Sequence, residues 1–135
     1  MADERSRLEP GLTGEVSITV TESVTAAALG SGNVDVYSTP AMIALMEGAA
    51  IKALEGRLDE GQVTVGTQLD VRHLAATPVG MTVRAQATLR AVDGRRLVFD
   101  VAAWDPVEQI GEGTHERFIV DRVRFESRAA GKLLK

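Results

Sequence analysis

The 135-residue chain contains no cysteine. Disulfides, thiolate metal ligands and a cysteine nucleophile are therefore excluded. Aromatic residues make up only 4% of the chain, so a pocket for an apolar ligand must be walled by aliphatic side chains and methionine. Histidine is scarce too. His73 and His115 are the two present; they are far apart in sequence, and no metal site is expected. No apolar run approaches the roughly 20 residues of a membrane-spanning helix. Positive charge is not in excess: the net charge of −4 gives no electrostatic footprint for nucleic acid. The start of the chain, Met-Ala-Asp-Glu-Arg-Ser-Arg, lacks the apolar core of a secretory signal, and a cytoplasmic protein is expected. The length predicts one domain over 1–135, large enough to bury a core without staples. The charged ends, 1–12 and 126–135, are expected to be mobile, the second frayed or weakly helical.

What is present is organised around residues 37–58. Thr39 reads as the N-cap of a helix, Pro40 as its first residue, and Gly56 as its stop. Between them nearly every residue is small or apolar, including Met42, Ile43, Leu45, Met46, Ala49, Ala50, Ile51 and Leu54. A helix apolar nearly all round is a buried one. Glu47 sits in its middle. A carboxylate there either reaches solvent at the helix edge or is a functional group, since burying it unpaired is costly.

Strands flank this helix. Residues 14–24 alternate, with Val16, Ile18 and Val20 on one side. Residues 25–36, with Gly30-Ser31-Gly32-Asn33, read as a loop, either a connector or a lid. Along residues 63–74 the odd positions Val63, Val65, Thr67, Leu69, Val71 and His73 form one face, which places His73 on the apolar side of a strand. Two further strands, 81–92 and 96–105, join at Asp93-Gly94, a hairpin signal. A last strand runs from about Gln109 to Phe125; Gly111 and Gly113 within it suggest a bulge or the close approach of another backbone. The pattern predicts an α+β fold, an antiparallel sheet of five strands curled around one long central helix. One helix covers only part of one sheet face, so at least a dimer is expected.

Thr39, Glu47 and His73 are the candidate chemistry. Thr39 and Glu47 lie about two turns apart on the helix, and His73 faces inward from a neighbouring strand. A hydroxyl, a carboxylate and an imidazole are the parts of an acyl-transfer site. The free N–H groups of Ala41 and Met42 at the helix N-terminus would bind a carbonyl or oxyanion. Each residue also has a plain structural reading: Thr39 as a cap, His73 as a hydrogen-bonded core residue. His115, in Gly-Thr-His-Glu-Arg, shares a face with Arg117 and Ile119 and reads first as structural.

Taken together, Ser38-Thr39, Leu45-Met46-Glu47, His73 with Ala75-Ala76-Thr77-Pro78-Val79-Gly80, Asp93-Gly94-Arg95-Arg96-Leu97 and Ile110-Gly111-Glu112-Gly113-Thr114-His115-Glu116-Arg117 resemble the hotdog-fold acyl-CoA thioesterases of the fluoroacetyl-CoA thioesterase type. The likeness runs from about residue 36 to 123. It implies the hotdog fold, an acyl-CoA substrate, a homodimer or a dimer of such dimers with two active sites at the interface, and no cofactor or metal. It also implies catalysis by Thr39, Glu47 and His73, with Gly66 and Arg117 near the site. The resemblance breaks at residues 28–36, which hold no aromatic where the fluoroacetyl-specific member is rich in them. A thioesterase for small or medium acyl groups is therefore expected. The alternatives are a non-catalytic hotdog module that binds acyl-CoA or a related small ligand, and a hotdog dehydratase, against which the Thr/Glu/His pattern speaks.

Overall fold

The computed structural model describes residues 7–135. Of the amino-terminal stretch expected to be mobile, residues 1–6 lie outside the described residues. Five antiparallel strands form one sheet: β1 (Thr13–Thr19), β2 (Gln62–His73), β3 (Thr82–Asp93), β4 (Arg96–Trp104) and β5 (Gln109–Asp121). Their order is β1-β3-β4-β5-β2, so β1 and β2 are the edges.

The long helix α2 (Thr39–Ala53) is capped differently from expectation. Ser38, not Thr39, is the N-cap, and its hydroxyl accepts the Ala41 N–H at 3.2 Å. Thr39 is the first helical residue, and Pro40 needs no N–H in this first turn. The helix ends at Ala53, and Gly56 takes a positive φ of 74° just beyond it. Between β1 and α2, the stretch read as a loop holds a one-turn helix, α1 (Ala26–Leu29). Thr25 caps it by accepting the Ala28 N–H, and Gly30 closes it in the left-handed conformation.

Two glycines let α2 lie close on the sheet. A Cβ on Gly14 of β1 would meet Ala49 O at 2.2 Å, and one on Gly111 of β5 would meet Met42 Sδ at 2.5 Å. The core between helix and sheet is built from Met42, Met46, Ala49 and Ala50 with Leu89, Phe99 and Ile110, all buried. Burying each large apolar side chain contributes about 1.5–3 kcal/mol. The helix is not wrapped all round, however. Ile51 is 54% exposed and Ala44 is exposed, so part of its apolar surface stays open in a single chain.

β2 departs from simple alternation. Its pairing with β5 shifts between Gly66 and Gln68, a bulge at Thr67 that reverses which residues face inward. Before it, Thr64 and Gly66 pair with Ile119 and Arg117; after it, Leu69, Val71 and His73 pair with His115, Gly113 and Gly111. The inner face is thus even before the bulge and odd after it, and Val63 and Val65 do not share a side with His73. In the β3–β4 hairpin the two turn residues are Gly94 and Arg95, between paired Asp93 and Arg96; of these only Gly94 has positive φ. β5 stops at Asp121, short of the expected Phe125, because the Asp121 side chain accepts the Arg124 N–H and starts helix α3 (Arg122–Ala130). A 3₁₀ turn, Gly131–Leu134, follows, so most of the carboxyl-terminal stretch is helical.

Candidate active site

Since Ser38 provides the cap, the Thr39 hydroxyl is free to reach outward. It lies 2.7 Å from His73 Nδ1, at the end of β2. If Nε2 carries the ring proton, Nδ1 accepts from the hydroxyl; in the other tautomer the hydroxyl accepts. Burial pushes the imidazole below its ordinary value of 6.5, against a smaller opposing pull from the Ala75 backbone. His73 is thus a neutral base near neutral pH. Its Nε2 is buried and has no hydrogen-bond partner among the described residues.

Beside this pair is a cavity of about 400 Å³, whose walls include Val34, Val36, Tyr37, Leu74 and Ala75. Tyr37 is buried, its hydroxyl has no hydrogen-bond partner among the described residues, and burial pushes its pKa up to about 12. No sequence signal marked Tyr37, which read as a residue at the start of the helix stretch.

Glu47 belongs to a second cluster. Helical rise places it about 12 Å along α2 from Thr39. It is bonded to neither Thr39 nor His73. Its Oε2 accepts from Arg117 Nη1 at 3.1 Å, and its side chain is 34% exposed. Gly66 lies directly beneath: a Cβ there would be 2.6 Å from Glu47 Oε2. Arg117 is buried on β5, and its Nε and Nη2 donate to Thr64 Oγ1 and Thr64 O. Desolvation lowers the guanidinium pKa, which the Glu47 carboxylate opposes.

His115 completes this cluster. It is 1% exposed. Its Nδ1 is 2.8 Å from the Gln68 carbonyl, and its Nε2 is 3.1 Å from Arg117 Nη1. Burial pushes the imidazole below its ordinary value; the Gln68 carbonyl opposes this, Arg117 reinforces it, and Glu47 opposes it. The 3.9 Å approach of His115 Nε2 to Glu47 Oε2 is accordingly not an ion pair at neutral pH. The residue read first as structural is in contact with Arg117. The strand parity that put the two on one face was the available signal.

The structure therefore gathers Thr39 with His73, and Glu47 with Gly66 and Arg117, but does not bring the two groups together within one chain. The Ala41 and Met42 N–H groups, expected to be free, are bonded to Ser38 Oγ and Ser38 O, and the Met42 side chain is buried in the core. Among the described residues no cluster of three metal-ligating side chains is present.

Comparison with known proteins adds the following. The profile of the family "FlK: Fluoroacetyl-CoA-specific thioesterase" matches residues 20–123. A fluoroacetyl-CoA thioesterase of Streptantibioticus cattleyicolor is 43% identical over 98 residues, 73% of this chain and 70% of that protein. A solved structure of the fluoroacetyl-CoA thioesterase FlK superposes with a TM-score of 0.87 at 35% identity, covering 93% of this chain and 97% of that one. A Thermus thermophilus thioesterase superfamily member superposes with a TM-score of 0.82 at 30% identity, covering 90% of each chain. A hot-dog-like protein from Thermanaerovibrio acidaminovorans superposes with a TM-score of 0.85 at 27% identity, covering 97% of each.

Proposed function

We infer that this chain, which belongs to the fluoroacetyl-CoA-specific thioesterase (FlK) family, is a hydrolase that cleaves an acyl-CoA thioester to the free acid and CoA. The α+β hotdog architecture and the 43% identical thioesterase support the activity. The observation that carries the site is the 2.7 Å contact of Thr39 with His73, next to a cavity of acyl-group size and apart from Glu47.

A complete site is assembled across a homodimer. Edge strand β2 is twelve residues long, and an unpaired edge of that length is a template for a second chain. Antiparallel pairing of two β2 edges about a two-fold axis near Leu69 and Asp70 carries His73 of the partner subunit to Gly66, beneath Glu47. The open apolar side of α2, with Ile51, gives such a partner something to cover. Each site then combines Glu47, Gly66 and Arg117 of one protomer with Thr39 and His73 of the other, and the dimer has two sites.

In that site the thioester carbonyl lies between the two clusters. Glu47 attacks it, giving an anhydride that water opens, or Glu47 or His73 acts as base for Thr39 or a water. In each route His73, whose Nε2 has no partner among the described residues, polarises the carbonyl or protonates the departing thiolate. The acyl group enters the cavity beside Tyr37. The aliphatic side chains Val34, Val36, Leu74 and Ala75 on its walls and the lack of aromatics in residues 28–36 suit small and medium acyl groups in general rather than fluoroacetyl alone. Neither route calls for a cofactor.

The test is thiol release from acyl-CoAs of increasing chain length, wild type beside Glu47→Gln. Turnover on short and medium chains that is lost in the variant supports the reading. A flat panel from folded wild type would sink it.

A further inference from the structure

We propose that His115 is a positioning residue for the reaction: by accepting an Arg117 N–H, it keeps the guanidinium on one oxygen of Glu47 and leaves the other oxygen free to act. This rests on the reading of Glu47 as the working carboxylate.

The argument is a count of hydrogens. Arginine has five N–H donors in a planar fork, and a fork meeting a carboxylate tends to bind both oxygens at once. Arg117 does not do so. Its Nε is taken by Thr64 Oγ1 and one Nη2 hydrogen by Thr64 O. Nη1 divides its two hydrogens between Glu47 Oε2 and His115 Nε2, each at 3.1 Å. Every side-chain polar contact of Glu47 among the described residues runs through Oε2. Oε1 is left as the oxygen available to an acyl carbon or an attacking water.

His115 can serve only as this acceptor. The Gln68 carbonyl at 2.8 Å accepts and cannot donate, so Nδ1 must carry the ring proton. The other nitrogen then presents a lone pair to Arg117. Without that acceptor, a buried Nη1 hydrogen would lose its partner, which is costly. A turn of the guanidinium toward Glu47 restores a bond, but it occupies the second oxygen.

Asparagine and glutamine imitate the two halves of the ring. An asparagine side chain would keep a donor for Gln68 and lose the acceptor for Arg117; a glutamine carbonyl oxygen can stand where Nε2 stood. In steady-state thiol release, His115→Asn is expected to lower kcat by about tenfold or more and His115→Gln by no more than about threefold, with KM little changed in both. A residue that merely fills space would not separate the two. Equal losses, or wild-type kcat in His115→Asn, would overturn the proposal. Glu47→Gln is assayed alongside. If it retains turnover, the reading of Glu47 has failed and this one with it; if it is inactive while His115→Asn is active, the role of His115 alone has failed. Should a variant not fold, the wild type still decides, since ring-nitrogen NMR need distinguish just two histidines. A neutral His115 with its proton on Nδ1 is expected at neutral pH. A proton on Nε2 would contradict the proposal.

Discussion

Thr39 Oγ1 meets His73 Nδ1 at 2.7 Å, although the two residues come from opposite ends of the structure's main elements, the first residue of α2 and the last of β2. The contact exists because Ser38 takes over the capping of the helix. Capping thereby falls to Ser38 and the contact with His73 to the adjacent Thr39.

That division can be tested by substitution. Ser38→Ala removes the cap and is expected to cost about 1 kcal/mol of stability. Thr39→Ala removes no cap and should change stability by less than about 0.5 kcal/mol, yet lower kcat by about 100-fold or more. Thr39→Ser should keep most of the activity. Thermal melts and thiol-release assays on the three variants check this. A Thr39→Ala enzyme as active as wild type would reduce the contact to a structural one.

Gly66 carries a second expectation. A methyl group there would meet Glu47 Oε2 at 2.6 Å, His115 Cε1 at 3.2 Å and Arg117 Nη1 at 3.4 Å. The nearest of these is the end of a flexible side chain, so Gly66→Ala should fold, with a loss of no more than about 1 kcal/mol. The displaced carboxylate should lower kcat by about tenfold. Melting and turnover measured on the same preparation separate the two effects.

Acid should weaken both the fold and the reaction. Burial holds His73 and His115 below 6.5 in the folded chain. Between that value and their lower folded values, the unfolded chain binds more protons than the folded one. Stability is therefore full above pH 6.5 and falls as the pH drops through the folded values. Turnover should stay level to below pH 6.5 and then fall as His73 is protonated. Melts and pH–rate profiles between about pH 7.5 and pH 5 test this, and His115→Gln should flatten part of the stability slope. Stability that rises on acidification in this window would contradict the burial of the two rings.

Much of this was legible in the sequence, for identifiable reasons. Period-two alternation located the strands, and the small apolar run from Ala41 to Leu54 located the helix. Thr39, Glu47 and His73 stood out because polar groups occupied apolar positions or a helix end. The rest turned on features that alternation does not encode. The bulge at Thr67 inverts the face of β2, so Thr64 and Gly66 joined the Glu47 cluster while Val63 and Val65 did not. The choice between Ser38 and Thr39 as cap depends on one backbone conformation, as both are good capping residues. One turn of helix at Ala26–Leu29 is too short to show a period. The spacing of Thr39 and Glu47 reads as about two helical turns; as a length it is about 12 Å, and within one chain Thr39 bonds His73 while Glu47 bonds Arg117.

Subunit mixing tests the two-protomer site most directly. Glu47→Gln and His73→Ala chains are each expected to be inactive as homodimers. In a mixed dimer one site combines both substitutions, while the other combines intact Glu47 from one chain with intact Thr39 and His73 from its partner. Equal mixing with random reassortment should therefore restore about a quarter of wild-type turnover. A mixture shown by differently tagged chains to contain the mixed dimer, yet still inactive, would contradict an active site shared between protomers.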